Sequence, residues 1–184
     1  MQKLVCDTFT AHQRIIFNGN GYSEEWKNEA VGRGLSNHCN TAQALPTYVS
    51  QKNIDLVTKR GIFTESEFRA RYEIHMQSYT KVTAIEGRTC VDMALHQILP
   101  AALHYARDLA KSIIDKQSIG ASCKAEQALV ERLSAACDSL YEKSQDLSDK
   151  LTAIPSETEA SANYMSNVIL PAMESLRVDA DLLE

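Results

Sequence analysis

A long apolar stripe at helical spacing limits most strongly what this chain can fold into. It starts at a capping box, Thr64-Glu65-Ser66-Glu67, and recurs every three or four residues as far as Ile113, with no turn signal between. Gly87 and Pro100 are the two positions able to bend or break this helix. About 50 helical residues would reach on the order of 75 Å, so a rod or a kinked pair of helices is expected.

The first 60 residues predict a helical arm with connecting loops. A short helix is expected near Leu4–Ile15, and Ser23 is expected to cap a second helix that runs through Arg33. Weak periodicity favours a linker from Leu35 to Pro46, and a short helix follows from about Ser50 to Arg60. Residues 1–60 and 61–184 are therefore predicted as two domains.

Residues 61–184 predict a bundle of long helices. Gly120 marks a reversal, and a second capping box is expected at Ser156-Glu157-Thr158-Glu159. No hairpin turn flanked by alternating apolar residues occurs, so no sheet is expected. The predicted fold class is all-α: an elongated antiparallel helix bundle with one very long or kinked helix. Between the two signals runs a heptad seam, typical of bundle helices: Val130, Leu133, Cys137, Leu140, Ser144, Leu147, Leu151 and Ile154.

Composition argues against several classes of partner. The net charge of -5 and the pI near 5.6 provide no basic field for nucleic acid, and no apolar run is long enough for a membrane span, so neither partner is expected. The start of the sequence does not resemble a secretion signal. An odd number of scattered cysteines favours reduced thiols and a cytoplasmic protein; they are Cys6, Cys39, Cys90, Cys123 and Cys137.

No motif for catalysis stands out. Asp92 and His96 share a helix face, but an exposed ion pair is the preferred interpretation, and Glu-x-x-His pairs are missing. The sequence Asn18-Gly19-Asn20-Gly21 lacks the strand and lysine of a phosphate loop, which favours a structural turn. We assign no catalytic, cofactor-binding or metal residue. The charged stretch around Tyr72 is a candidate interface, comprising Arg69, Arg71, Tyr72 and Glu73.

A short motif occurs twice. Ile98-Leu99-Pro100-Ala101 recurs as Ile169-Leu170-Pro171-Ala172. Two bent bundle helices with similar apolar faces explain the recurrence better than duplication.

Several of these segments, in order and at the expected intervals, resemble type III glutamine synthetases over roughly residues 12 to 116. The segment Phe17 to Trp26 is similar to the one that follows the family's catalytic core, and it continues into Glu29-Ala30 and Arg33-Gly34-Leu35. Further matching segments are Gly61 to Glu67, Arg69 to Ile74, Ile85-Glu86, Asp92-Met93-Ala94 and Gln97 to Ala101. The resemblance makes a candidate core-junction loop of Asn18, Gly19, Asn20, Gly21, Tyr22 and Trp26.

The resemblance implies a large cytoplasmic oligomer that joins ammonia to glutamate with ATP and Mg (or Mn). The residues for that chemistry belong to a β-rich core that this sequence lacks, so the chain is expected to be an excised, non-catalytic C-terminal domain with no cofactor of its own. Its expected partners are that core and neighbouring subunits. A free-standing helical module for protein interactions is the alternative.

Overall fold

A computed structural model describes Met1 to Leu183, except for the side chain of Ile15. Within those residues the chain is helical and contains no strand, which confirms the all-α prediction. It divides into two compact units, Met1–Cys39 and a second unit that begins at Asn40. The helix that follows Cys39 packs on the bundle and belongs to the second unit. The division at residue 60 into an arm and a bundle remains a prediction.

The first unit contains two α-helices, α1 (Gln2–Ala11) and α2 (Glu24–Gly32), and a short 3₁₀-helix between them at Gln13–Ile15. As predicted, the Ser23 hydroxyl caps α2 by accepting a hydrogen bond from the Trp26 N–H at 3.4 Å. Gly34, with a φ of 71°, ends the helix in a left-handed conformation that favours glycine.

The second unit contains seven helices among the described residues. They are α3 (Thr41–Tyr48), α4 (Gln51–Lys59), α5 (Glu65–Met93), α6 (Leu99–Ser118), α7 (Lys124–Thr152), α8 (Thr158–Tyr164) and α9 (Leu170–Leu183). None of the helices in the described part of the chain is both long and apolar enough to cross a bilayer.

Helices α5 and α6 form the predicted rod. Together with the segment between them they make one continuous helix of 54 residues, about 80 Å long. Its start is the predicted capping box, since the Thr64 hydroxyl accepts from the Glu67 N–H and the Glu67 carboxylate accepts from the Thr64 N–H. The hydrogen bonds from Thr64 lower the pKa of Glu67. Gly87 lies inside α5 and does not break it.

Pro100 does not break the rod either, because a wider turn precedes it. Residues Ala94–Ile98 form a π-turn, in which the Leu99 N–H donates to the Ala94 carbonyl. A proline has no N–H and its ring collides with the carbonyl four residues earlier in an α-helix. The π-turn changes the hydrogen-bond pattern at that point, and the helix continues.

The second copy of the motif has the same geometry. Residues Met165–Ile169 form a π-turn ahead of Pro171, and the Leu170 N–H donates to the Met165 carbonyl. The recurring Ile-Leu-Pro-Ala sequence therefore marks a proline that follows a π-turn inside a bundle helix.

Helices α7 and α9 complete a three-helix bundle against the rod. Helix α7 runs back along α6 and α5 after the reversal at Gly120, whose φ is 73°. The predicted heptad seam is confirmed from Cys137 to Leu151, where α7 buries Cys137, Leu140, Ser144, Leu147 and Leu151. The first two residues of the seam, Val130 and Leu133, and its last, Ile154, are only half-buried. Helix α9 packs antiparallel on α7.

Two local predictions were wrong. The expected linker contains α3, whose N-terminal amide at Gln43 donates to the Asn40 side chain at 2.9 Å. The second capping box does not form through Ser156. The carboxylate of Glu157 caps α8 instead, accepting from the amides of Glu159 and Ala160, and these hydrogen bonds lower its pKa.

Gly87 sets the approach of the rod to the other two helices. A Cβ at this position would lie 3.1 Å from Leu151 Cδ2 and 3.6 Å from Ile169 Cγ2. Both neighbours are buried in the main core of the bundle. A methyl group at this crossing would therefore require Leu151 to shift slightly, and a longer side chain has no space there.

A polar group joins α7 to α9. The carboxylate of Asp179 accepts from Ser139 Oγ at 2.5 Å and from Lys143 Nζ at 2.8 Å, and its side chain is 13% exposed. Burial acts to raise the pKa of Asp179, but the hydrogen bonds from Lys143 and Ser139 outweigh it and hold the pKa below its usual value.

We expect Gly87→Leu to lower the free energy of unfolding by about 1 to 3 kcal/mol, because overpacking forces α5 away from α7 and α9. Gly87→Ala should be close to neutral, since a gain in helix propensity of about 1 kcal/mol opposes one tight contact. Urea unfolding followed by circular dichroism measures both. Gln77→Leu, at an exposed position of α5, is the control. Equal stability of the Gly87→Leu and Gln77→Leu variants would contradict the close crossing.

We expect Asp179→Asn to lower the free energy of unfolding by about 1 to 2 kcal/mol at pH 7. A carboxylate whose pKa is lower in the folded chain than in the unfolded chain stabilises the fold at pH values above its unfolded pKa, which is near 3.8. This stabilisation is lost as the pH falls through the pKa of the folded chain. The difference between the variant and the original chain should thus stay constant from pH 7 to about 5 and shrink below about 4. Asp181→Asn, in an exposed pair with Arg177, is the control. A constant difference down to pH 3 would refute the assignment.

Candidate functional site

The candidate core-junction loop is organised by Asn20. Its side-chain oxygen accepts from the Tyr22 N–H at 3.0 Å, and its carbonyl accepts from both the N–H and the hydroxyl of Ser23. The side chain thus fixes a turn directly ahead of α2. Asn18, Gly19, Asn20 and Gly21 are exposed.

An aromatic and cationic cluster, which we call the Trp26 cluster, supports this loop. The rings of Phe17 and Trp26 are 4.7 Å apart, and the Arg33 guanidinium lies over the Trp26 ring at 5.8 Å. The same guanidinium donates to the carbonyl of Arg14 at 3.2 Å and to that of Ile16, and pairs with Glu29. One arginine therefore ties the chain before the loop to the helix after it.

Neither Gly19 nor Gly21 has a positive φ, so backbone conformation does not explain why glycine occupies these positions. At Gly19 the explanation is close packing against a neighbouring side chain. A Cβ on Gly19 would collide with the tip of the Phe17 ring, whereas one on Gly21 would meet nothing within 4 Å. The loop leaves Tyr22 with 97% of its surface exposed. A rigid turn that carries an uncovered aromatic side chain is suited to contact another surface.

The four residues of the candidate interface have different surroundings. Arg69 pairs with Glu65 at 2.8 Å, and the Arg71 guanidinium lies 4.5 Å from the centre of the Phe63 ring. Glu73 is exposed. Tyr72 is only 5% exposed, so it belongs to the interior of this chain and not to an exposed face.

Tyr72 joins α5 to α8. Its hydroxyl donates to the Glu159 carboxylate at 2.5 Å. Two effects raise the pKa of Tyr72 above its ordinary range: burial is the larger, and the hydrogen bond to Glu159 is the second. The Thr80 and Ser161 hydroxyls hydrogen-bond at 3.2 Å in the same interface. The contact is structural and holds the start of α8 against the rod.

The sequence analysis missed an aromatic cluster at the start of the rod. Phe63 precedes the Thr64 cap and packs on Phe68 at 6.0 Å, which makes a hydrophobic staple. Tyr48 of α3 stacks on Phe68 at 4.2 Å. An aromatic residue on each side of the capping box was the available signal, but it could not identify Tyr48 as the third member.

Two cysteine thiols have shifted pKa values. Burial raises the pKa of the Cys90 and Cys137 thiols, which favours their protonated form. Asp92 and His96 form an exposed pair at 2.9 Å, as expected. Among the described residues, no three His, Cys, Asp or Glu side chains come together in a way that could hold a metal ion.

We expect Gly19→Ala to displace the Phe17 ring and to red-shift the emission of Trp26, the single tryptophan of the chain. Loss of the aromatic pair should also cost about 1 kcal/mol of local stability. Fluorescence spectroscopy of the folded chain measures the shift. Gly21→Ala is the matched control, since that position has free space. Identical spectra for the two variants would contradict the close contact.

Known proteins similar to this chain agree on one family. Residues 1–117 match the glutamine synthetase C-terminal domain. A glutamine synthetase from Butyrivibrio fibrisolvens is 34% identical over 188 residues, a match that covers 100% of this chain and 27% of the relative. A type-3 glutamine synthetase from Dictyostelium discoideum is 29% identical over 194 residues, covering 99% of this chain and 26% of the relative.

A glutamine synthetase from Bacteroides fragilis (strain YCH46) is also 29% identical, over 198 residues, with 99% of this chain and 26% of the relative covered. The chain thus spans about a quarter of the length of the curated relatives that it matches. The family match includes the core-junction loop, the candidate interface and most of the rod. The chain belongs to the glutamine synthetase C-terminal domain family.

Proposed function

We propose that this chain is the structural and assembly domain of a type III glutamine synthetase and that it performs no catalysis itself. The longer polypeptide would ligate ammonia to glutamate with ATP. The family match and the type-3 relative from Dictyostelium discoideum support this proposal.

One structural observation carries the assembly role: apolar side chains remain uncovered along the rod. Burial in α5 is limited to one face, and α6 buries only Ala102. Ile74, Ile85 and Ile114 are each at least 60% exposed. Because exposed apolar surface of this extent is costly in water, contiguous patches usually mark contacts with another protein surface.

The far end of the rod supports the same role. There the first turns of α7 pack on α6 as a two-helix hairpin, closed by an ion pair between Lys116 and Glu126 that lowers the pKa of Glu126. Leu103 and Ile119 are 52% and 79% exposed on this hairpin. Two paired helices bury less apolar surface than three, so a further partner would stabilise this end.

The partners that fit this role are the catalytic core of the same polypeptide and neighbouring subunits of a homo-oligomer. In that arrangement ATP and Mg (or Mn) bind to the core and not to this domain. The exposed Tyr22 turn, rigidified by Asn20 and the Trp26 cluster, is suited to fix the junction with the core. The whole protein would be cytoplasmic.

The assembly role is tested in the Butyrivibrio fibrisolvens relative by deleting the segment that matches residues 40–183. We expect light scattering to show fewer subunits per particle, once the shorter chain length is taken into account, while circular dichroism shows that the remaining core is folded. Deletion of the segment that matches α1 alone is the control and should leave the number of subunits unchanged. An unchanged number of subunits after the larger deletion would refute the assembly role.

A further inference from the structure

We propose that two copies of this chain pair side by side, in parallel, through one outward face of α5. The face, called the outer stripe here, consists of Ile74, Ser78, Val82, Ile85, Thr89 and Met93. This inference rests on the proposed assembly function and names the surface and the partner that would serve it.

The outer stripe is apolar, continuous and uncovered. Ile74, Val82, Ile85 and Met93 are 62%, 50%, 60% and 44% exposed, and the two residues between them are a serine and a threonine. The charged Asp92, with 66% of its side chain exposed, borders the stripe beside Met93. Helix α5 is an uninterrupted α-helix of 29 residues, so the stripe runs along one side of it. The buried residues of α5, among them Met76, Thr83 and Gly87, lie on another side.

The spacing of the stripe fits a helix that pairs with another helix. Ser78, Val82, Ile85 and Thr89 are four, three and four residues apart, which is the alternation of a coiled-coil seam. Val82 and Ile85 occupy its centre. The β-branched Val82 and Thr89 occupy the a positions, where branched residues favour two strands over higher oligomers in parallel coiled coils.

Charge complementarity selects a second copy in parallel orientation. Lys81 and Glu86 flank the central pair of residues on opposite sides, at the g and e positions. In a parallel pair, a g residue faces the e residue five positions later in the other helix. Lys81 of each copy would therefore face Glu86 of the other, and the two-fold symmetry makes this ion pair twice.

Both charges are available for such a pair. Lys81 and Glu86 are exposed, and neither takes part in an ion pair within the described residues. An antiparallel pair centred on the same seam would instead bring Lys81 close to Arg88 of the other copy. Because like charges repel, the parallel arrangement is favoured.

The expected association is weak. Four apolar side chains per copy form an interface below the standard size, so we expect a dissociation constant in the range of about 10 to 100 µM. In a larger particle held together by several contacts, such an interface would gain strength from effective concentration.

Charge reversal in the 184-residue chain tests the pairing, with dissociation constants from sedimentation velocity over a concentration series. Lys81→Glu and Glu86→Lys should each weaken the dimer about tenfold, because each replaces two attractive pairs by two repulsive ones. The double variant should recover the original dissociation constant. Lys52→Glu, with the same change in net charge at an exposed position of α4, should have no effect.

Oxidative cross-linking tests the orientation in a Cys6→Ser, Cys39→Ser background, which removes the two exposed thiols. Ile85→Cys alone should form a covalent dimer under mild oxidation, since equivalent d positions face each other in a parallel pair. An antiparallel pair would cross-link only in a mixture of Val82→Cys and Ile85→Cys chains. That result would overturn the parallel arrangement.

Two further outcomes would overturn the inference. A strictly monomeric chain at all concentrations would show that the outer stripe does not pair copies. Self-association that is insensitive to both charge reversals would assign the contact to another surface. Neither outcome refutes the assembly function, which depends on the deletion experiment in the longer relative.

Discussion

Gly87 allows α5 to approach α7 and α9 closely, and the architecture of the second unit depends on this contact. Without a side chain at Gly87, Leu151 and Ile169 reach the backbone of the rod. Leu151 is near the end of α7, and Ile169 closes the π-turn ahead of α9. The crossing therefore joins all three long helices at one place, and the buried side chains of the main core extend from it.

Burial is uneven along the rod, so one part of it contributes to the core and another part stays exposed. In the main core, Leu140, Leu147, Met165 and Ile169 are completely buried. Beyond it, α6 has a single buried residue and packs mainly on α7. A bundle whose only purpose was its own stability would need no helix of 54 residues. The extra length provides surface rather than core.

The sequence predicted the helices and their long-range order well, because periodicity and capping residues are local signals. Thr64 and Glu67 form the expected cap, and the seam of α7 is buried from Cys137 to Leu151. The prediction was wrong where contacts between residues distant in sequence determine the local structure. Helix α3 is short and contains a proline, yet Tyr48 stacks on Phe68 and holds it against α5. The contact between Tyr72 and Glu159 also could not be predicted, because the two residues lie 87 positions apart in the sequence.

The π-turns determine how far one face of a helix can extend. A π-turn adds one residue to a helical turn, so residues after it face about 100° away from the direction that an unbroken α-helix would give them. The outer stripe of α5 ends at Met93, directly before the π-turn at Ala94–Ile98. Pro100 keeps that turn in place, because an ordinary α-helical turn would collide with its ring. The recurring Ile-Leu-Pro-Ala motif thus confines the pairing surface to α5 and leaves α6 free to present a different face.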